Sequence, residues 1–178
     1  RKESSAASDV YKRQGLHRFV DPVDDETYLY TQFEVPDARR VFAVFEQPDL
    51  KASFSFTIIA PESWTVVSNS PTPVAGEPHE ALAELGIESG DMALWQFAPT
   101  PPISSYITAI IAGPYKSAHS SLLSCDGEEV PLGVYARASL FEHVDAEEIF
   151  KLTRAGFTFF EDLFATPYPV SYTHLTLP

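Results

Sequence analysis

From Thr27 to Val35 the chain alternates. Tyr28, Tyr30, Gln32 and Glu34 fall on one side of a period-two register, and Leu29, Thr31, Phe33 and Val35 on the other. That spacing predicts a strand with two different faces. Pro36-Asp37 ends the run, and Asp37 is placed to cap a short helical turn through Ala38–Val41. Ala52–Ala60 predicts a second strand, with Phe54, Phe56 and Ile58 on one face, and Trp64–Asn69 a third. Three prolines and a glycine mark Pro71–Glu80 as loop, and "HEALAELG" predicts a short helix stopped by Gly86. Ala93–Phe97 predicts a strand carrying Trp95, and Tyr106–Ala112 is again β-rich. Lys116–Ser124 and Val130–Ala136 flank the turn "DGEE" as a hairpin. Short strands between proline-rich turns mean an antiparallel sandwich or curved sheet, so the expected class is mainly β.

The period changes after Ala136. Asp145 followed by Glu148 resembles a capping box with Asp in place of Ser or Thr. Ile149, Leu152, Gly156, Phe159, Phe160 and Leu163 then recur at helical spacing, with Lys151, Arg154, Glu161 and Asp162 as the polar side. A helix over 145–165 is expected, its apolar face built from Ile149, Leu152, Phe159 and Leu163. The switch places a domain boundary between residues 136 and 144.

Composition narrows the function classes. The chain has 178 residues, 44% of them hydrophobic and 13% aromatic, enough to bury a core. The net charge is −13; four basic and two acidic residues in 1–14 leave −15 for the remainder. Such a chain repels phosphate backbones and anionic membranes, so neither nucleic acid nor membrane is an expected partner. One cysteine, Cys125, permits no disulfide framework and no cysteine zinc cluster, which suits a cytoplasmic location. "RKESSAASDVYKRQ" has no apolar stretch of signal-peptide type. "DVYKRQ" at 9–14 and "VSYTHLTLP" at 170–178 resemble translated adaptor sequence, so residues 1–14 and 170–178 are expected to be foreign or disordered ends.

Few motifs carry chemistry by themselves. His79-Glu80 begins H-E-x-x-H, but Ala83 stands where the second histidine would be, so the zinc-binding pair is missing. Asp21, Asp24, Asp25 and Glu26 lack calcium-loop spacing and predict a solvated loop. Gly90-Asp91-Met92 is not a phosphate loop, and Ser68 and Ser70 lie in no G-x-S-x-G elbow. No pair of carboxylates is singled out for glycoside hydrolysis. Gln32 and Glu34 remain, an amide and a carboxylate on one face of a strand. On residue type alone they are the exposed face of an edge strand.

Four blocks, the first running from Tyr30 to Phe54, resemble the aminopeptidase N family of gluzincin zinc exopeptidases, most closely its actinobacterial type. "YTQFE" matches the family's T-Q-x-E, and "DARRVFAVFEQPDLKASF" matches its A-R, F-P-C-F-D-E-P and K-A-x-F run. "VVSNSP" at 66–71, "FAPTPPISSYITAIIAGPY" at 97–115 and "FFEDLFATPYP" at 159–169 follow in the family's order. Ala43-Val44 stands for Pro-Cys and Glu46-Gln47 for Asp-Glu, with the aromatic and proline skeleton of the turn retained.

The resemblance implies a partial, N-terminally truncated β-domain over 15–140 and the start of a thermolysin-like catalytic domain over 141–169. It implies that Glu34 helps bind the α-amino group of a peptide substrate and that Gln32 lines the pocket for its first side chain. A charged terminus calls for a carboxylate partner, and a period-two strand turns positions i and i+2 to one side. The implied cofactor is zinc in the full-length parent and none in this stretch, because the G-x-M-E-N loop, H-E-x-x-H and the downstream glutamate ligand belong to a catalytic domain beyond Pro169. The expected partners are a peptide N-terminus and that missing domain, and this stretch alone is expected to be inactive. The rival readings are a non-catalytic β-domain scaffold of the same family and an unrelated carbohydrate-binding sandwich.

Overall fold

The computed structural model describes residues 15–34, 36–77, 82–83 and 90–168. The two terminal segments lie outside these residues, as does the expected helix over 79–86 apart from Leu82 and Ala83. The chain divides into two compact units between Pro114 and Tyr115.

Among the described residues the first unit holds six strands: β1 (Gly15–Val20), β2 (Thr27–Gln32), β3 (Thr57–Pro61), β4 (Thr65–Ser68), β5 (Met92–Gln96) and β6 (Ile110–Gly113). They form an antiparallel four-stranded sheet, β1-β2-β6-β4, and an antiparallel pair, β3-β5. The mainly β class expected from the alternation is therefore correct. Leu29, Ala112 and Val66 lie side by side across the larger sheet. In the smaller one Ala60 faces Ala93 and Ile58 faces Trp95. Alanines at 60, 93 and 112 leave the volume that the Trp95 ring fills, and all four belong to one buried cluster with Val66 and Phe97.

The β1–β2 turn corrects the expectation of a solvated acidic loop in part: Asp25 and Glu26 are exposed, but Asp21 and Asp24 are not free in solvent. Asp21 is buried, and its carboxylate accepts the Val23 N–H at 3.0 Å. Asp24 accepts the Glu26 N–H at 3.0 Å and the Tyr28 hydroxyl at 2.9 Å. These carboxylates satisfy the donors of the tight turn, the usual work of Asp in such a place.

The expected strand over Ala52–Ala60 forms only from Thr57. Its first half runs beside residues 97–103, where Pro99, Pro101 and Pro102 have no N–H to donate. Hydroxyls take over the pairing. Thr100 Oγ1 accepts the Phe54 N–H at 3.0 Å, and Ser53 Oγ donates to the Thr100 carbonyl at 2.6 Å. Backbone bonds survive where a donor exists, as between Ala52 and Ile103 and from Thr100 N–H to the Phe54 carbonyl. "VVSNSP" follows the same logic. Ser68 Oγ donates to the Ala109 carbonyl at 2.7 Å, and Asn69 bridges the Ile107 carbonyl and the Ala109 N–H. These side chains carry the pairing of β4 past the short 3-10 turn Ser105–Ile107, which stands where the start of a strand was expected.

The second unit is a hairpin, β7 (Tyr115–Leu123) with β8 (Glu129–Arg137), followed by helix α1 (Ala146–Phe164). Gly127 turns the hairpin at φ 86°, where a side chain would be strained. The Ser124 N–H donates to the Glu128 carbonyl, so three register steps on Ser121 and Pro131 form a non-hydrogen-bonded pair. Pro131 therefore forfeits no ladder bond, and the Ser121 carbonyl faces away from β8. Arg154 of α1 donates to that carbonyl at 3.2 and 3.0 Å and also to Ser120 Oγ.

The helix begins as expected: Asp145 accepts the Glu148 N–H at 3.0 Å. Its apolar face is not the one that packs on the hairpin. Phe150 and Glu161 are the buried residues, whereas Ile149, Leu152, Phe159 and Leu163 are exposed, Leu152 and Leu163 by about 60%. Within this unit the polar side of α1 meets the hairpin, because the outward carbonyl of β7 and the N–H groups of its turn need partners that Arg154 and Glu161 supply.

Two outcomes are expected for the 178-residue chain in urea denaturation. Trp95→Ala should lower its stability by about 3–5 kcal/mol, since three alanines cannot close on the space left. Thr100→Val, nearly isosteric, should cost about 1–3 kcal/mol by stranding the Phe54 N–H, with the m-value unchanged. A neutral Thr100→Val would show that the hydroxyl does not replace the ladder bond.

Candidate functional site

The end of β2 is held on all sides but one. Tyr28 is fully buried and tied to Asp24, and Thr31 Oγ1 accepts the Ile110 N–H from β6 at 2.9 Å. Phe33 is 2% exposed and meets Phe42 edge-on at 5.7 Å. Phe42 meets Phe54 at 5.9 Å, and Phe54 stacks on Phe56 at 6.1 Å, which packs against the buried cluster around Trp95. A line of four rings thus connects the strand end to the core.

Gln32 is the last ladder residue of β2, opposite Gly15. Gly15 has φ 97°, and a Cβ there would come within 3.3 Å of Arg40 Cβ. Its lack of a side chain lets the segment after the strand lie close against the start of β1. Glu34 lies two residues past the ladder, in a turn where the Asp37 N–H donates to the Phe33 carbonyl at 3.3 Å. The expected strand through Val35 is therefore shorter, and Val35 itself lies outside the described residues. Gln32 and Glu34 are both exposed, while Thr31, Phe33, Asp37 and Ala38 around them are buried.

Asp37 precedes a 3-10 turn, Ala38–Arg40, but does not cap it with its side chain, as the sequence suggested. Its buried carboxylate accepts from Arg40 Nε at 2.8 Å instead. Arginine three residues on offers a charged donor, which outcompetes the weak amide of so short a turn. Glu46, standing where the resembling family has Asp, accepts the Arg39 N–H at 2.9 Å and pairs with the Arg39 guanidinium at 3.2 Å. Glu46 therefore makes a polar contact of its own within this turn. Both arginines are occupied by these carboxylates, and among the described residues no ion pair reaches Glu34. The Asp37–Arg40 and Arg39–Glu46 pairs were missed in the sequence; D-x-x-R at 37–40 was the available signal.

The other candidates do not converge on this place. His79 and Glu80 lie outside the described residues, Ser68 spends its hydroxyl on Ala109, and Asp21 and Asp24 serve their own turn. Among the described residues no three His, Cys, Asp or Glu side chains come together so as to hold a metal ion. The end of β2 can offer a carboxylate and an amide to something docking from outside, and by itself no nucleophile or metal.

Residues 11–107 match the Peptidase M1 N-terminal domain. Aminopeptidase N of Streptomyces lividans is 58% identical over 166 residues, which is 93% of this chain and 18% of that protein. Aminopeptidase N of Acetobacter pasteurianus is 32% identical over 142 residues, 80% of this chain and 35% of that protein. Aminopeptidase N of Mus musculus is 29% identical over 140 residues, 79% of this chain and 13% of that protein. The chain thus spans a minor share of each relative, and with the T-Q-x-E block at the end of β2 inside the matched region it belongs to the peptidase M1 N-terminal domain family, of the actinobacterial aminopeptidase N type.

Proposed function

We propose that this chain is part of a zinc-dependent aminopeptidase, in which Gln32 and Glu34 present an amide and a carboxylate to the free N-terminus of a peptide. The observation that carries the reading is the end of β2. Its apolar neighbours are anchored through Phe33 while Gln32 and Glu34 stay exposed, and the exposed arginines nearby, Arg39 and Arg40, are paired with Glu46 and Asp37. A carboxylate so placed suits a substrate ammonium, and the amide beside it suits a side-chain pocket. Residues 15–140 are read as the β-domain and 141–169 as the opening of the catalytic domain. The exposed stripe Ile149, Leu152, Phe159, Phe160, Leu163 and Phe164 on α1 supports the second assignment, because so continuous an apolar face suits burial against further protein.

Zinc is assigned to the longer protein. The residues described here do not fit it, so no catalytic step is derived through the metal. A cytoplasmic location is read from the single cysteine and the acidic composition, and among the described residues no helix is long and apolar enough to cross a membrane.

In the longer enzyme, Glu34→Ala should lower kcat/KM by about 10- to 150-fold, the worth of one charge-assisted hydrogen bond. Stability should be unchanged, since the residue is exposed. Gln32→Ala should reorder the preference among first side chains. Unchanged kcat/KM for Glu34→Ala across several aminoacyl substrates would return the pair to a solvated strand end and favour the scaffold reading. The 178-residue chain alone should retain no stoichiometric zinc after dialysis and hydrolyse no aminoacyl anilide above a blank; either activity would overturn the division of labour proposed here.

A further inference from the structure

Glu161 was expected on the solvent side of α1 and is instead 8% exposed. Its Oε1 accepts from Ser124 Oγ and from the Tyr168 N–H at 2.9 Å, and its Oε2 accepts the Cys125 N–H at 2.9 Å. These donors come from two different places. Ser124 and Cys125 open the β7–β8 turn, whereas Tyr168 follows the helix. Between them the chain must reverse, and it does so at Ala165, which takes φ 49° and ψ 38°. A glycine is usual at such a helix end, and alanine holds the left-handed conformation only where its surroundings impose it. The Tyr168 ring packs on Phe157 at 4.6 Å, so the returning chain is seated by its side chain as well.

We propose that Glu161 is a positioning residue that clamps the chain leaving α1 back onto the hairpin turn, and so sets the direction in which the polypeptide continues. The clamp needs the ionised form, because all three partners are donors and a protonated carboxyl has fewer lone pairs to offer. The Ser124 hydroxyl first, and then the Tyr168 N–H, hold the Glu161 carboxyl below the ordinary glutamate range. The titratable groups beside it in the turn are Cys125 and Asp126. The Cys125 thiol is pushed up by desolvation and by the carboxylates of Glu161 and Asp126. A depressed carboxyl stabilises the fold above its unfolded value, about 4.3 for glutamate, and that contribution is lost as the pH falls through the folded value. The clamp should therefore open in acid. Only its consequence for catalysis, the orientation of whatever follows α1, rests on the function proposed above.

Amide hydrogen exchange on the 178-residue chain tests the clamp without reference to any activity. In Glu161→Ala the Cys125 and Tyr168 amides should lose protection together, by about tenfold or more, while Leu122 and Val130 in the ladder keep theirs. In Glu161→Gln one oxygen remains, so one of the two amides should stay protected and the other should not. Ser124→Ala should leave both amides bonded and move the Glu161 titration up toward the ordinary value, since the hydroxyl is its largest stabiliser. Wild-type exchange at Tyr168 in Glu161→Ala would overturn the proposal. So would equal loss across the whole β7–β8 ladder, which is the mark of a merely structural carboxylate. If Glu161→Ala does not fold, the split between the two amides in Glu161→Gln decides.

Discussion

The Phe33 ring is what the polar end of β2 depends on. It is buried, and through Phe42, Phe54 and Phe56 it is continuous with the packed cluster around Trp95. Each aromatic pair contributes about 0.5–1.5 kcal/mol beyond its burial, and the line as a whole fixes which side of the strand points inward. With Thr31 and Phe33 committed to the interior, Gln32 has nowhere to go but outward. Glu34, just past the ladder, is held outward by the turn that buries Asp37 and Ala38. The exposed pair is therefore a consequence of the core rather than of a local preference of glutamine or glutamate.

A second constraint, the satisfaction of backbone polar groups, explains why the family blocks carry so many hydroxyls. Prolines at 99, 101 and 102 shape the stretch beside residues 52–56 and remove donors from it. Ser53 and Thr100 restore the pairing with side-chain oxygens. Ser68 and Asn69 do the same where β6 starts late. Such bonds are individually modest, about 1 kcal/mol net, but a buried donor without one costs more than the bond contributes. Ser68-Asn69 and Thr100 thus supply with side chains the pairing that a late strand start and a run of prolines remove.

The same rule governs the hairpin and helix. The Ser121 carbonyl faces away from β8, and the turn at 124–125 presents donors. Arg154 and Glu161 meet them, so these polar groups of α1 face the hairpin, Phe150 is buried, and Leu152, Phe159, Phe160, Leu163 and Phe164 stay exposed. An apolar stripe marks the face of a helix that will be buried, but it does not say against which part of the protein.

Period-two alternation located β4, β5 and the β7–β8 hairpin to within one residue and the start of β2, which ends three residues sooner than expected, and the Asp145–Glu148 spacing located the start of α1. Those features were legible because each follows from one segment: side-chain direction in a strand, and a carboxylate three residues before an amide. The exposed character of Gln32 and Glu34 was legible for the same reason. The strand over 52–56 failed because its pairing was decided by prolines some forty-five residues away. The capping role of Asp37 failed because Arg40 is the stronger donor, a matter of geometry rather than of sequence preference. The facing of α1 and the burial of Glu161 belong to the tertiary structure alone, since only there do the unmet donors of a distant turn come within reach of a carboxylate that its own helix would leave in water.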